Sequence, residues 1–238
     1  MQEHALSVWK QAARIRPVNL AIQHANLSLI YVAQGKLSAA EDEAGLAREL
    51  SASAPQHEAR PIQVRVETLL AKIEYACGRY VEAEQHQKVA VEHFSSGTAS
   101  NPADAATAMN DMAMMVAAQG EFGRARPFAE RALEILRQAG RATDVDYWRL
   151  AGNLALICYR LGDFPAADAL YRDSIAGLDA ALGNDYPHLG VLLGEYAQLL
   201  RKTGRKAEAK DLERRAKAIL TNANLPGRHT IDARVLTK

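Results

Sequence analysis

Residues 118–132 read AQGEFGRARPFAERA. The same frame returns four more times, as AQGKLSAAEDEAGLA (33–47), ACGRYVEAEQHQKVA (76–90), RLGDFPAADALYRDSI (160–175) and the more polar KTGRKAEAKDLERRA (202–216). Their glycines, Gly35, Gly78, Gly120, Gly162 and Gly204, are spaced 43, 42, 42 and 42 residues apart. A period of this length marks a repeat architecture, in which each unit buries its apolar side against the next. Five residues after each glycine stands an alanine: Ala40, Ala83, Ala125, Ala167 and Ala209. Ala47, Ala90, Ala132 and Ala216 follow about two helical turns later, with Ile175 read as the member for the fourth copy. Alanines seven apart share a helix face, and a methyl group there lets a second helix approach closely. The glycine suits a tight turn between antiparallel helices, where the backbone turns left-handed. Ahead of the glycines run apolar stripes such as Leu27, Ile30 and Tyr31, or Leu150, Leu154 and Ile157. The unit is helix, turn, helix.

Helix starts carry separate marks. Pro17, Pro61, Pro102 and Pro187 each precede their glycine by 17 or 18 residues, and Asp144 takes that place in the fourth copy. Proline suits a first turn, where its missing N–H costs nothing. Asn101 and Asp185 are natural N-caps. The pattern predicts about eleven helices, at 3–15, 18–34, 37–52, 61–77, 80–94, 102–119, 122–138, 145–161, 164–182, 187–203 and 206–221.

Composition narrows the function. The 238 residues are 48% hydrophobic with aromatics at only 6%, a balance suited to closely packed, alanine-rich helices. With 29 basic and 28 acidic residues the formal charge is +1, so the broad positive footprint of a nucleic-acid binder is absent. No apolar run reaches the roughly 18 residues of a membrane span, and MQEHALSVWKQAARIRP has no signal-peptide pattern, so a cytoplasmic setting is expected. Cys77 and Cys158 read as small buried residues too far apart to bridge. No cofactor motif and no catalytic spacing occurs, so no enzyme activity is expected. Glu82, His86 and His93 near one helix face are read as solvated surface, and Cys158 as a core residue rather than a nucleophile.

The Gly-x4-Ala-x6-Ala frame, the pairs Leu27-Ser28, Met112-Ala113 and Leu154-Ala155, and Pro127 early in a second helix resemble the tetratricopeptide repeat. The likeness is to its 42-residue variety found in kinesin light chain and in many bacterial proteins. The stretch NDYPHLGVLLGEYAQLLRKTGRKAEA (184–209) is similar to that family's linker and first helix. The resemblance covers residues 3–221. It implies an all-α, right-handed superhelical solenoid of antiparallel helix pairs that binds other proteins. As one domain it would span 1–221, a half repeat at 1–17 followed by five repeats, with a frayed tail at 222–238. Within that tail Ile231, Ala233 and Val235 alternate as a short strand would. Ala5, Trp9, Ala12 and Pro17 match the second half of the shorter, 34-residue repeat. A start in mid-repeat gives two expectations: the chain is cut from a longer protein, or this end pairs with another subunit as a homo-oligomer.

In such a solenoid the first helices make the inner wall, where a partner's peptide or helix lies. Nine residues before each turn glycine stand Asn26, Leu69, Asp111, Asn153 and Glu195, with Asn110 one place away. The resemblance implies asparagine at this inward position, where its amide reaches a peptide backbone. Neighbouring positions add Arg65, Lys72, Arg149, Arg160, Gln198, Arg201 and Lys202. The basic surplus predicts an acidic partner segment, with Arg149 and Asn153 holding a carboxylate between them. The leading expectation is an adaptor for a protein or peptide, with no nucleic acid and no membrane. The alternative is a sensor or regulatory domain of a larger signalling protein of ATPase or kinase type.

Overall fold

The computed structural model describes residues 16–95, 101–183 and 186–222. Ten α-helices and no strand lie among the described residues: α1 (Pro17–Ala33), α2 (Leu37–Ala52), α3 (Gln56–Ala76), α4 (Tyr80–Ser95), α5 (Pro102–Ala118), α6 (Phe122–Gln138), α7 (Val145–Arg160), α8 (Phe164–Leu182), α9 (Pro187–Lys202) and α10 (Lys206–Asn222). The expected helix at 3–15 with Ala5, Trp9 and Ala12, the cap at Asp185 and the alternation in the tail all lie outside the described residues. The chain divides into two compact units, residues 1–93 and 94–238.

Every turn glycine of the repeat frame has positive φ, from 72° at Gly35 to 85° at Gly204. The turn closes in the same way each time. The residue after the glycine donates its N–H to the carbonyl five residues back: Lys36 to Tyr31, Arg79 to Glu74, Glu121 to Val116, Asp163 to Cys158 and Arg205 to Leu200. These bonds satisfy carbonyls that a helix end leaves open, and they stop the first helix at a fixed residue. Second helices start three residues after each glycine's predecessor, with Ala40, Ala83, Ala125, Ala167 and Ala209 all at 0% exposure. A side chain larger than methyl would hold the two helices of the hairpin apart.

Predicted helix ends agree with the structure to within one residue except at the start of α3, which begins at Gln56 rather than Pro61. Pro55 is the residue before that helix, and its carbonyl accepts the N–H groups of Glu58 and Ala59 at 2.9 Å each. Pro61 sits inside α3, on an exposed side. Pro127 is likewise inside α6. Elsewhere the caps are as expected or better. Asn101 accepts the Ala103 N–H, and Asp163, which the sequence reading passed over, accepts that of Ala166.

Three packing expectations need correction. The fourth copy's second small position is Ser174, fully buried, while Ile175 beside it is partly exposed; the register runs twelve residues from the glycine in every copy. On α1 the buried face is Ala21, Ala25 and Ser28, and Tyr31 packs against the same cluster partly buried, whereas Ile30 is 53% exposed. Leu150, Leu154 and Ile157 do face the core. Cys158 is buried, but Cys77 is exposed. Cys77 is the residue after the end of α3, immediately before the turn glycine, a place held by Gln34, Gln119, Leu161 and Thr203 in the other copies.

Hairpins within each unit are tied by ion pairs in one register. The residue after a turn glycine reaches the sixth residue after the preceding glycine: Arg79 to Glu41 at 2.7 Å in the first unit, Arg205 to Asp168 at 2.6 Å in the second. Asp163 and Arg126 make the same link at 3.2 Å with the charges exchanged. Burial pushes the Asp168 carboxyl up, but Tyr196, which donates its hydroxyl at 2.8 Å, together with Arg205 and Arg172, outweighs it and holds that pKa below its ordinary value. Inside the two hairpins of the first unit, His24 meets Glu43 and His86 meets Glu67, each at 2.6 Å. The two pairs occupy identical places with the residue types exchanged. His86 therefore belongs to a link between helices and not to a site with Glu82 and His93.

Candidate interaction surface

The candidate residues all lie on first helices, α1, α3, α5, α7 and α9, as the register predicts. In the first unit Arg65 donates to the Asn26 side-chain oxygen at 2.6 Å, joining α3 to α1. Lys72 is exposed two turns further along α3. Leu69, at the asparagine position, is 4% exposed and belongs to the cluster that includes Ala21, Ala25, Val66 and Ile73. Its departure from asparagine is a packing choice.

In the second unit Asn153 donates its amide to the side-chain oxygen of Asn110 at 2.9 Å, from α7 to α5. The two asparagines are brought together, and Asn110 is 3% exposed. Their bond sets the first helices side by side on one face. It also engages the amides that were expected to reach a peptide backbone. Asp111, next to Asn110, is partly buried.

Two of the six basic residues of the wall, Arg149 and Arg201, are paired with carboxylates, and Arg160 is held by a ring. Arg149 meets Asp146 at 3.3 Å rather than standing open beside Asn153. Arg201 lies against Glu213 of α10 through two hydrogen bonds of 2.5 and 2.6 Å. Arg160 places its guanidinium 4.5 Å over the Phe122 ring. The sequence reading counted only the charges on first helices; Glu213 lies on a second helix, and Asp146 on the first turn of α7, outside the positions that were counted. Gln198 and Lys202 of α9 are exposed.

One group sequence reasoning placed without anticipating its state is Glu195. It lines a cavity of about 200 Å³ between α7, α9 and α10, with Tyr159, Arg160 and Gln198 among its neighbours. Burial pushes its carboxyl up to about 8. At the head of the same helix, burial first and the Arg149 charge second lower the His188 pKa to about 4. Among the described residues no three His, Cys, Asp or Glu side chains come together as a metal would require. No helix among them is long and apolar enough to cross a membrane.

A family model described as tetratricopeptide repeat matches residues 63–138 and 148–222, well over half of the chain. The chain belongs to the tetratricopeptide repeat family. Among curated proteins, no sequence matches it. Solved structures with the same fold include BtubC (BKLC) from P. vanneervenii, 18% identical, with a TM-score of 0.72 over 96% of this chain and 92% of that one. A Podosopora anserina putative kinesin light chain with nearly identical TPR-like repeats is 18% identical, with a TM-score of 0.69 over 87% and 97%. Bacillus thuringiensis PlcR, solved with the peptide PapR7 and DNA, is 13% identical, with a TM-score of 0.66 over 92% and 74%. The tetratricopeptide repeats of this chain thus share their fold with proteins of very different sequence.

Proposed function

We propose that this chain is a non-catalytic protein-interaction module that takes a peptide or a helix of a partner protein along the first-helix face of its repeats. The observation that carries the reading is the Asn153–Asn110 hydrogen bond, which joins successive first helices side by side on one face, Asn110 lying one place from the position equivalent to Asn153. A surface repeating at the spacing of neighbouring helices suits an extended ligand that meets one repeat after another. PlcR, which shares the fold, was solved holding a peptide. With the arginines of the second unit engaged by Asp146, Glu213 and Phe122, the exposed Gln198 and Lys202 are the groups best placed to meet the ligand, and net acidity in the partner is not required.

Selection of peptides from a randomised display library against the immobilised chain tests this directly. Replacing Gln198 and Lys202 together by alanine is expected to weaken a selected peptide by about fivefold or more while leaving stability within about 0.5 kcal/mol, since both are exposed. Unchanged affinity in titration calorimetry would remove this face as the binding surface.

A further inference from the structure

The cavity between α7, α9 and α10 has a chemistry that peptide binding in general does not demand. Its wall is largely apolar, with Leu156, Val191, Ala216 and Leu220 around the Glu195 carboxyl. That carboxyl makes no hydrogen bond or ion pair with any described residue. The one cation on the lining, Arg160, rests its guanidinium on the Phe122 ring instead. Ionising a half-buried carboxyl among apolar groups without a counter-charge is costly, and a cationic ligand group would supply the missing partner.

The glycines of the second unit give an independent sign. Gly152, Gly177 and Gly190 lie inside helices because neighbours press on them: a Cβ at Gly152 would meet Leu192 at 2.7 Å, one at Gly190 would meet Leu220 at 2.9 Å, and one at Gly177 would run into the Trp148 indole. Gly194 shares with Gly123 of α6 an unpacked place inside a helix, but it alone of the two stands on the cavity lining, adjacent to Glu195. A Cβ there would meet nothing within 4 Å. Glycine inside a helix costs about 0.5–1 kcal/mol relative to alanine, and at Gly194 no packing contact requires it. Its missing side chain leaves the cavity open.

We propose that this cavity takes a lysine side chain of the partner peptide, its ammonium paired with Glu195 and its four-carbon stem lying against the apolar wall. The inference rests on the peptide-binding reading above and names one residue of the ligand. About 200 Å³ suits a single side chain, whereas cofactor and drug-sized ligands occupy about 300–1,000 Å³. Lysine fits better than arginine. Its compact head carries three donors, which the two carboxylate oxygens and the Tyr159 hydroxyl or Gln198 amide oxygen can meet, whereas the five N–H groups of a guanidinium would be left partly unpaired. Near neutral pH the empty site holds a proton on Glu195. Arrival of the ammonium therefore releases that proton to solvent and leaves an ion pair.

The test uses the same display selection on the full chain and on two variants, Glu195→Gln and Gly194→Leu, each checked for helical content by circular dichroism. Peptides selected by the wild-type chain are expected to share a lysine at one position. Changing that lysine to norleucine should weaken wild-type binding about tenfold or more and leave binding to Glu195→Gln unaltered. Gly194→Leu, which fills the cavity, should lose a similar factor toward the lysine peptide. Selected peptides with no shared lysine, or a norleucine peptide bound as tightly as its parent, would overturn the proposal while leaving the peptide-binding face intact. Failure of the wild-type chain to retain any peptide would overturn the peptide reading and the lysine pocket with it.

Discussion

Replacing Gly177 by alanine is expected to destabilise the second unit by about 2–3 kcal/mol, although the same substitution inside a helix ordinarily stabilises. The indole of Trp148 already fills the space a Cβ would take, and its ring is held edge-on to Tyr147 with centroids 5.0 Å apart. A rigid bicycle cannot turn aside as the tip of a leucine can, so α8 must move off α7 or the ring must leave its rotamer. Gly194→Ala is the matched control. With nothing within 4 Å of the added methyl, it is expected to stabilise by about 0.5–1 kcal/mol through the smaller entropy of the unfolded chain. Chemical denaturation of both variants checks the pair, and equal signs would show that the Trp148 contact does not set the spacing of these helices. Adding Trp148→Leu to Gly177→Ala is expected to recover part of the loss.

The second large effect is a pH dependence traceable to Glu195. Its carboxyl stands at about 8 in the folded chain against an ordinary 4.5, because burial disfavours the charge. Between those values the folded state keeps a proton that the unfolded chain has given up, so stability falls as pH rises from 4.5 to 8 and levels off above. The shift converts to roughly 2–3 kcal/mol once partial contact with solvent is discounted. Glu195→Gln removes the titration. It is expected to match the wild type near pH 5 and to exceed it by about that amount at pH 8.5 in thermal denaturation. His188 acts in the opposite sense. Its pKa, lowered to about 4 from 6.5, gives stability that is present above 6.5 and lost as pH falls toward 4. Comparing the variant with the wild type at each pH cancels the His188 contribution, which both share. A constant difference across the range would contradict the buried state assigned to Glu195.

Much of the fold was legible because the decisive residues are those whose backbone or size admits few substitutes. Five glycines at intervals of 42 or 43 residues marked the turns, and the alanines after them marked which face of each second helix is pressed closest; both hold in the structure. Reading failed where two residues compete for one role. Pro55 and Pro61 both mark a helix start, and the one farther from the glycine governs because Pro61 is tolerated on an exposed side of α3. Ser174 stands seven residues after Ala167 as its counterparts do, and the reading of Ile175 there ran one residue past the register. Cys77 was read as core because cysteines usually are, yet it occupies the outward place just past a helix end. The candidate surface was legible as a set of positions but not as chemistry. Pairing of Asn153 with Asn110, and of Arg201 with Glu213, depends on distances between helices that a periodic pattern does not encode. The cavity was out of reach for a further reason: it is defined by a side chain that Gly194 lacks.

The central claim is that a partner lies along the first helices. A photo-crosslinking amino acid placed at Gln198 on α9, and in a separate variant at the exposed Arg131 on α6, measures where a selected peptide lies. Covalent capture from position 198 with none from 131 is the predicted outcome. Capture from 131 alone, or equally from both, would contradict it.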